Sequence, residues 1–166
     1  MKNIFLVGMP SSGKTTLGKA LARQLSYRFL DTDRLIVKQT GLAIKDIFAQ
    51  KGEDYFRALE AETLRGIGPN HKLVVATGGG APYFYDNMAY IKQNGISVFL
   101  DVSPAEILRR IRLQPANNRP MFDKNSEQLL EDLQKKYDER RPTYLQADIR
   151  MDGTTTVHEL MRVLQI

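Results

Sequence analysis

The sequence predicts an α/β protein, a three-layer α/β/α sandwich built on a parallel sheet, and three observations carry that prediction. Four of five strand candidates are apolar without period-two alternation, the pattern of strands covered on both faces. Helix-spaced segments separate the strands in turn. A Gly-rich turn, "GMPSSGKT" at 8–15, joins the first strand to the first helix.

Each element follows from local signals. "NIFLV" at 3–7 is a short apolar strand, cut off by Gly8 and Pro10, which argues against a signal peptide. Thr15 to Leu25 carries Leu17, Leu21 and Leu25 at helical spacing. "RFLDTD" at 28–33 gives a second strand ending in acid. Two helical stretches, 34–51 and 53–66, are parted by Gly52. "KLVVAT" at 72–77 is a third strand, closed by Gly78, Gly79 and Gly80. A helix near 85–93 leads to "ISVFLDV" at 96–102, the fourth strand. Ser103, Pro104 and Glu106 form a capping box with Pro at the first helical position, so a helix starts there. Residues 113–126, polar and rich in Pro and Asn, read as a loop. A helix over 126–140, a strand "DIRM" at 148–151 and a helix capped by Thr156 and Glu159 complete the chain.

Composition bounds the function. The 166 residues fit a single domain, 1–166, with 42% hydrophobic and 26% charged residues. No apolar run is long enough to span a bilayer. The absence of cysteine excludes disulfides and thiolate metal sites, and cytoplasmic residence is the expectation. His71 and His158, the only histidines, are far apart and suggest no metal site. The net charge of +5 invites a nucleic-acid reading. Its distribution argues otherwise, because the excess sits in residues 1–50, with eight Lys or Arg against three Asp. An anionic small molecule near the Gly-rich loop fits better than a polynucleotide, and neither nucleic acid nor membrane is expected as a partner.

Gly8 to Thr15 matches G-x-x-x-x-G-K-[ST] in full, between a strand and a helix as that motif requires. The glycines let successive N–H groups curl toward phosphate oxygens, and the following helix presents its positive end to the same anion. Gly8, Ser11, Ser12, Gly13, Lys14, Thr15 and Thr16 are therefore the expected ATP-binding residues here. Lys14 neutralises β- and γ-phosphate charge, and the Thr15 hydroxyl ligates Mg²⁺ directly. The Asp-x-x-Gly and Asn-Lys-x-Asp strings of a GTPase are missing. A small kinase acting on a second substrate, or a nucleotide-dependent switch, remains.

Downstream residues narrow the choice. "DTD" at 31–33, "GEDYFRALE" at 52–60, "TGGGAP" at 77–82, Arg119-Pro120 and "RRPTY" at 140–144 occur in that order. Taken alone, the paired acids could be a capped strand end, and Arg57 with Glu60 a surface ion pair. Together with the phosphate loop, the set resembles shikimate kinase from about residue 3 to about 150. The resemblance implies a P-loop kinase fold with strand order 2-3-1-4-5, an acceptor-binding segment at about 32–66 and a lid at about 113–125. It implies phosphorylation of the 3-hydroxyl of shikimate by ATP with Mg²⁺, a step toward chorismate and the aromatic amino acids, by a monomer.

The resemblance also implies roles. Asp33 grips ring hydroxyls and takes the proton of the attacking one, while Asp31 acts near the metal through water. The two acids are expected to face opposite sides of the strand end. Arg57 and Arg140 bind the acceptor carboxylate, with Glu60 holding the Arg57 guanidinium and Arg141 left on the surface. Gly78, Gly79 and Gly80 let the acceptor approach bare backbone, and Thr77 steers a metal-bound water. Arg119 reaches the transferring phosphoryl from the lid, and Arg112 stacks on adenine, with Arg109 and Arg110 competing for that role. One departure stands inside the motif: Ser11 replaces the family's middle glycine. A left-handed backbone there costs Ser more than Gly. A related gluconate or nucleoside-monophosphate kinase, or a nucleotide-binding regulator without turnover, is the alternative.

Overall fold

Five parallel strands form one sheet: β1 (Asn3–Val7), β2 (Arg28–Asp31), β3 (Leu73–Ala76), β4 (Gly95–Asp101) and β5 (Ile149–Asp152). Their order is β2-β3-β1-β4-β5, as expected from the sequence. The computed structural model describes residues 1–115 and 127–166, so most of the expected lid, and Arg119 with it, lies outside the described residues.

The missing alternation in the strand sequences has a direct cause. Ile4 and Leu6 of β1 face one core cluster, with Leu17 and Leu21 of α1 (Lys14–Leu25) and Leu160 of α8 (Val157–Leu164). Phe5 and Val7 face the other cluster. That side is covered by α4 (Glu53–Arg65), α5 (Asn87–Asn94), α6 (Pro104–Leu113) and α7 (Leu129–Tyr144), through Leu64, Ile91, Ile107, Ile111 and Leu133. Both faces of β1 are dry, so every position is apolar or, at Asn3, buried and hydrogen-bonded. A third cluster of Ile36, Ile47 and Phe56 ties α2 (Thr32–Thr40) and α3 (Ile44–Lys51) to α4.

Most boundaries shift by a residue or two, and three differences from the sequence expectation have a clear physical cause. The second strand stops at Asp31 rather than 33, because the Asp31 carboxylate accepts the Asp33 and Arg34 N–H groups at 3.0 and 3.3 Å and starts α2. The helix expected over 34–51 is two helices, since Gly41 takes a left-handed φ of 71° and ends α2. The helix expected over 126–140 runs from Leu129 to Tyr144 and carries Pro142 in its last turn. There the missing N–H removes only one helical bond. The strand order leaves the loops after β3, β1 and β4 side by side at the carboxyl edge of the sheet, where open α/β sheets bind ligands.

Candidate active site

At that edge lies one cavity of about 880 Å³, lined by the phosphate loop, the acids after β2, the glycines after β3 and residues of α4, α6 and α7. The phosphate loop forms its floor. Lys14 is buried, and its Nζ donates to the Gly8 and Met9 carbonyls at 2.8 and 2.7 Å. Unlike α2, α6 and α8, helix α1 begins with no side-chain cap, and its first turn contains no acid. Its positive end is left for an anionic ligand. Ser11 has a φ of 62°, so the position the family fills with glycine does take the left-handed conformation.

Next to the loop, the Thr15 hydroxyl donates to Asp31 Oδ2 at 3.2 Å. Both residues line the cavity, and a hydroxyl beside a carboxylate is a hard donor pair suited to Mg²⁺. Asp31 and Asp33 part company, but not by strand alternation as expected, since residues two apart in a strand share a face. They diverge because β2 ends at Asp31 and the chain turns into α2. Asp31 stays with Thr15 while Asp33 reaches toward Gly78 and Glu60.

The far end is cationic and dry. Arg57 is 3% exposed and Arg140 5%. The Arg57 guanidinium binds Glu60 at 3.0 Å and Glu53 at 3.3 Å, and lies over the Phe84 ring at 4.4 Å. Packing on an aromatic face fixes the plane of its fork, which a two-bond grip on a carboxylate requires. Burial pushes the Glu60 carboxyl up to about 7, against the opposing pull of the Arg57 charge and hydrogen bond. An unfolded Glu releases its proton near 4.5, so folding takes up a proton between about pH 4.5 and 7. Stability contributed by Glu60 is full below that window and lost as pH rises through it. Urea unfolding of wild type and Glu60→Gln across this range should give a difference that changes by about 3 kcal/mol. A difference that stays flat with pH would remove Glu60 as the titrating group.

Sterics explain the three glycines. A Cβ on Gly78 would stand 2.8 Å from both Asp33 Oδ1 and Glu60 Oε2, and one on Gly80 would stand 2.5 Å from Arg57 Nη1. On Gly79 it would meet the Pro10 ring at 2.7 Å, while the Tyr144 hydroxyl of α7 holds the Gly79 carbonyl. Gly79→Ala therefore overpacks the contact between the two loops. At about 1–3 kcal/mol, its Tm should fall by roughly 2–10 °C in a thermal scan. An unchanged Tm would show that the loops can part freely.

Most residues singled out in the sequence meet in this cavity: Ser11 to Thr16, Asp31, Asp33, Arg57, Glu60, Thr77 to Gly80 and Arg140. Gly8 sits just behind it, supplying the carbonyl that holds Lys14. The Thr77 hydroxyl donates to the Leu6 carbonyl at 3.0 Å, which leaves only its lone pairs for a water. The three arginines of α6 take different places. Arg112 is exposed and off the cavity wall, and Arg109 points outward, paired with Glu106 at 2.8 Å. Arg110 is the one on the wall, because it flanks the buried Ile107 and Ile111 on the helix. Nor is Arg141 a plain surface charge, since it bonds Tyr137 and the buried Asp101. Sequence reasoning missed Thr154 to Val157, which complete the wall beyond Arg110. Their signal was topological: they follow the last parallel strand at its carboxyl end.

Known proteins resemble this chain in sequence and fold. The family model for shikimate kinase matches residues 10–165. A shikimate kinase from Sulfurihydrogenibium sp. (strain YO3AOP1) is 43% identical over 153 residues, covering 92% of this chain and 89% of that one. The crystal structure of shikimate kinase from Bacteroides thetaiotaomicron superimposes with a TM-score of 0.93 at 34% identity, over 99% and 98% of the two chains. That of the Acinetobacter baumannii enzyme, in complex with shikimate, gives 0.89 at 33% identity, over 99% and 94%. With its phosphate loop, its acids after β2 and its buried arginine pair in one cavity, this chain belongs to the shikimate kinase family.

Proposed function

We propose that the protein transfers the γ-phosphoryl group of ATP to the 3-hydroxyl of shikimate, releasing shikimate 3-phosphate and ADP. The observation that carries this reading is the placing of two buried guanidinium groups, Arg57 and Arg140, in the same cavity as the phosphate loop. A phosphate site alone serves many acceptors. Two buried guanidinium groups at its far end, of which Arg57 already shares Glu60 and Glu53, suit an acceptor that brings a carboxylate of its own. The relative solved with shikimate bound supports the same ligand here.

The chain's own groups divide the work. The loop N–H groups and Lys14 hold the phosphates, while Arg57 and Arg140 hold the acceptor carboxylate. That grip turns a two-molecule encounter into an aligned attack. Asp33 orients the acceptor hydroxyl and takes its proton as the oxygen–phosphorus bond forms and the bridging bond to ADP breaks. Thr15 would hold Mg²⁺ directly and Asp31 through water, and bound there with ATP the ion neutralises charge on the β- and γ-oxygens. Arg119, outside the described residues, is assigned the remaining transition-state charge. Arg110 with Thr154 and Thr155 walls the space beyond the loop, where the nucleoside fits. The reading takes the protein as a cytoplasmic monomer with small-molecule partners only. No described helix is long and apolar enough to cross a membrane.

The test is ADP release from MgATP, with shikimate, gluconate and nucleoside monophosphates offered side by side. Stimulation by shikimate alone is expected. Stimulation by another acceptor instead would transfer the site to that substrate, and none at all would leave a nucleotide-binding regulator.

A further inference from the structure

The geometry points to Arg110 of α6 as a positioning residue for the phosphate loop: it holds the Ser11–Ser12 peptide in the left-handed turn that a glycine would adopt unaided. This rests on the reading of Gly8 to Thr15 as the ATP phosphate site and goes beyond it, because Arg110 lies 99 residues away in sequence.

Ser11 has φ of 62°, a conformation in which a Cβ crowds the backbone. Something has to hold it. Arg110 Nη1 donates to the Ser11 carbonyl at 3.0 Å, and Gln114 one turn on makes a longer contact with Ser11 Oγ at 3.4 Å. The other face of the same peptide is tied as well, since the Ser12 N–H donates to the Met9 carbonyl at 3.2 Å. That carbonyl also receives Lys14 Nζ at 2.7 Å. One run of hydrogen bonds therefore leads from Arg110 through the Ser11–Ser12 peptide to the lysine. The guanidinium is itself fixed, with Nε on Glu106 at 3.0 Å and Nη2 on Thr154 Oγ1 at 2.9 Å. A planar fork spans three partners set apart along its width, a spread that the point-like ammonium of Lys does not cover.

The experiment is calorimetric binding of magnesium tripolyphosphate and of MgATP to wild type, Arg110→Ala, Arg110→Lys, Ser11→Gly and the double variants. Tripolyphosphate has no adenine, so it reports the loop alone. Arg110→Ala is expected to weaken tripolyphosphate binding about tenfold, the size of the left-handed cost for a residue with a Cβ. Arg110→Lys should also weaken it. Adding Ser11→Gly should return both to within about threefold of the Ser11→Gly parent. A loss confined to MgATP would make Arg110 an adenine contact only and overturn the inference. So would full binding by Arg110→Lys, which would leave charge as the whole effect, or equal losses with Ser and Gly at position 11. Failure of the wild type to bind either ligand would instead remove the nucleotide reading, and this inference with it. Thermal unfolding of each variant separates loss of fold from loss of binding.

Discussion

Asp33→Asn should lower kcat by about 100- to 10,000-fold, the usual contribution of a positioned base, while ATP affinity stays close to that of wild type. The separation follows from where Asp33 sits. It lies in the first turn of α2 and reaches the Gly78 and Glu60 end of the cavity. Asn keeps the shape and one acceptor oxygen, so the acceptor hydroxyl is still met by a hydrogen bond, but the proton has nowhere to go. Steady-state kinetics with both substrates varied, alongside MgATP titration, decide the point. Turnover near that of wild type would refute the assignment of Asp33 as the proton acceptor. A parallel loss of ATP affinity would move its role to the donor side.

Arg57→Ala should act on the acceptor above all. Truncating one partner of a buried, hydrogen-bonded charge pair costs about 2–5 kcal/mol, so KM for shikimate should rise by roughly 30- to several-thousand-fold. KM for ATP should move little. The variant also strands Glu60, which loses the charge and hydrogen bond that lower its pKa and so goes protonated at neutral pH. Arg57→Lys restores a charge without the fork, and its shikimate KM should lie between the two. An Ala variant whose shikimate KM is unchanged would remove Arg57 from the acceptor site and leave it as the partner of Glu60 alone.

Much of this was legible in the sequence, for reasons that can be named. The strands could be read because β1, β3 and β4 are buried on both faces over most of their length and so largely apolar. The phosphate loop could be read because its task fixes residue types at fixed spacing. Arg57 and Arg140 were legible as residues, but their burial was not. For Arg57 it comes in part from Phe84, which approaches from outside α4, and that contact is not visible in the local sequence. The break at Gly41 was hidden because α2 and α3 continue each other's apolar spacing. The choice among Arg109, Arg110 and Arg112 turned on helical phase against a sheet whose position no local pattern reveals. The wall at Thr154 to Val157 was missed because hydroxyl-rich loops carry no chemistry until a neighbour such as Arg110 gives them one.

The glycines after β3 differ in kind from Gly41. Gly41 has a left-handed backbone but nothing within 4 Å of where a Cβ would be, so Asn can stand in for it at modest cost. Gly78, Gly79 and Gly80 look onto an acid pair, a proline ring and a guanidinium. The Arg57–Glu60 ion pair joins the first obstacle to the third, while the proline stands apart. This turn therefore resists substitution, because a side chain placed on any of the three glycines needs a neighbouring side chain to give way.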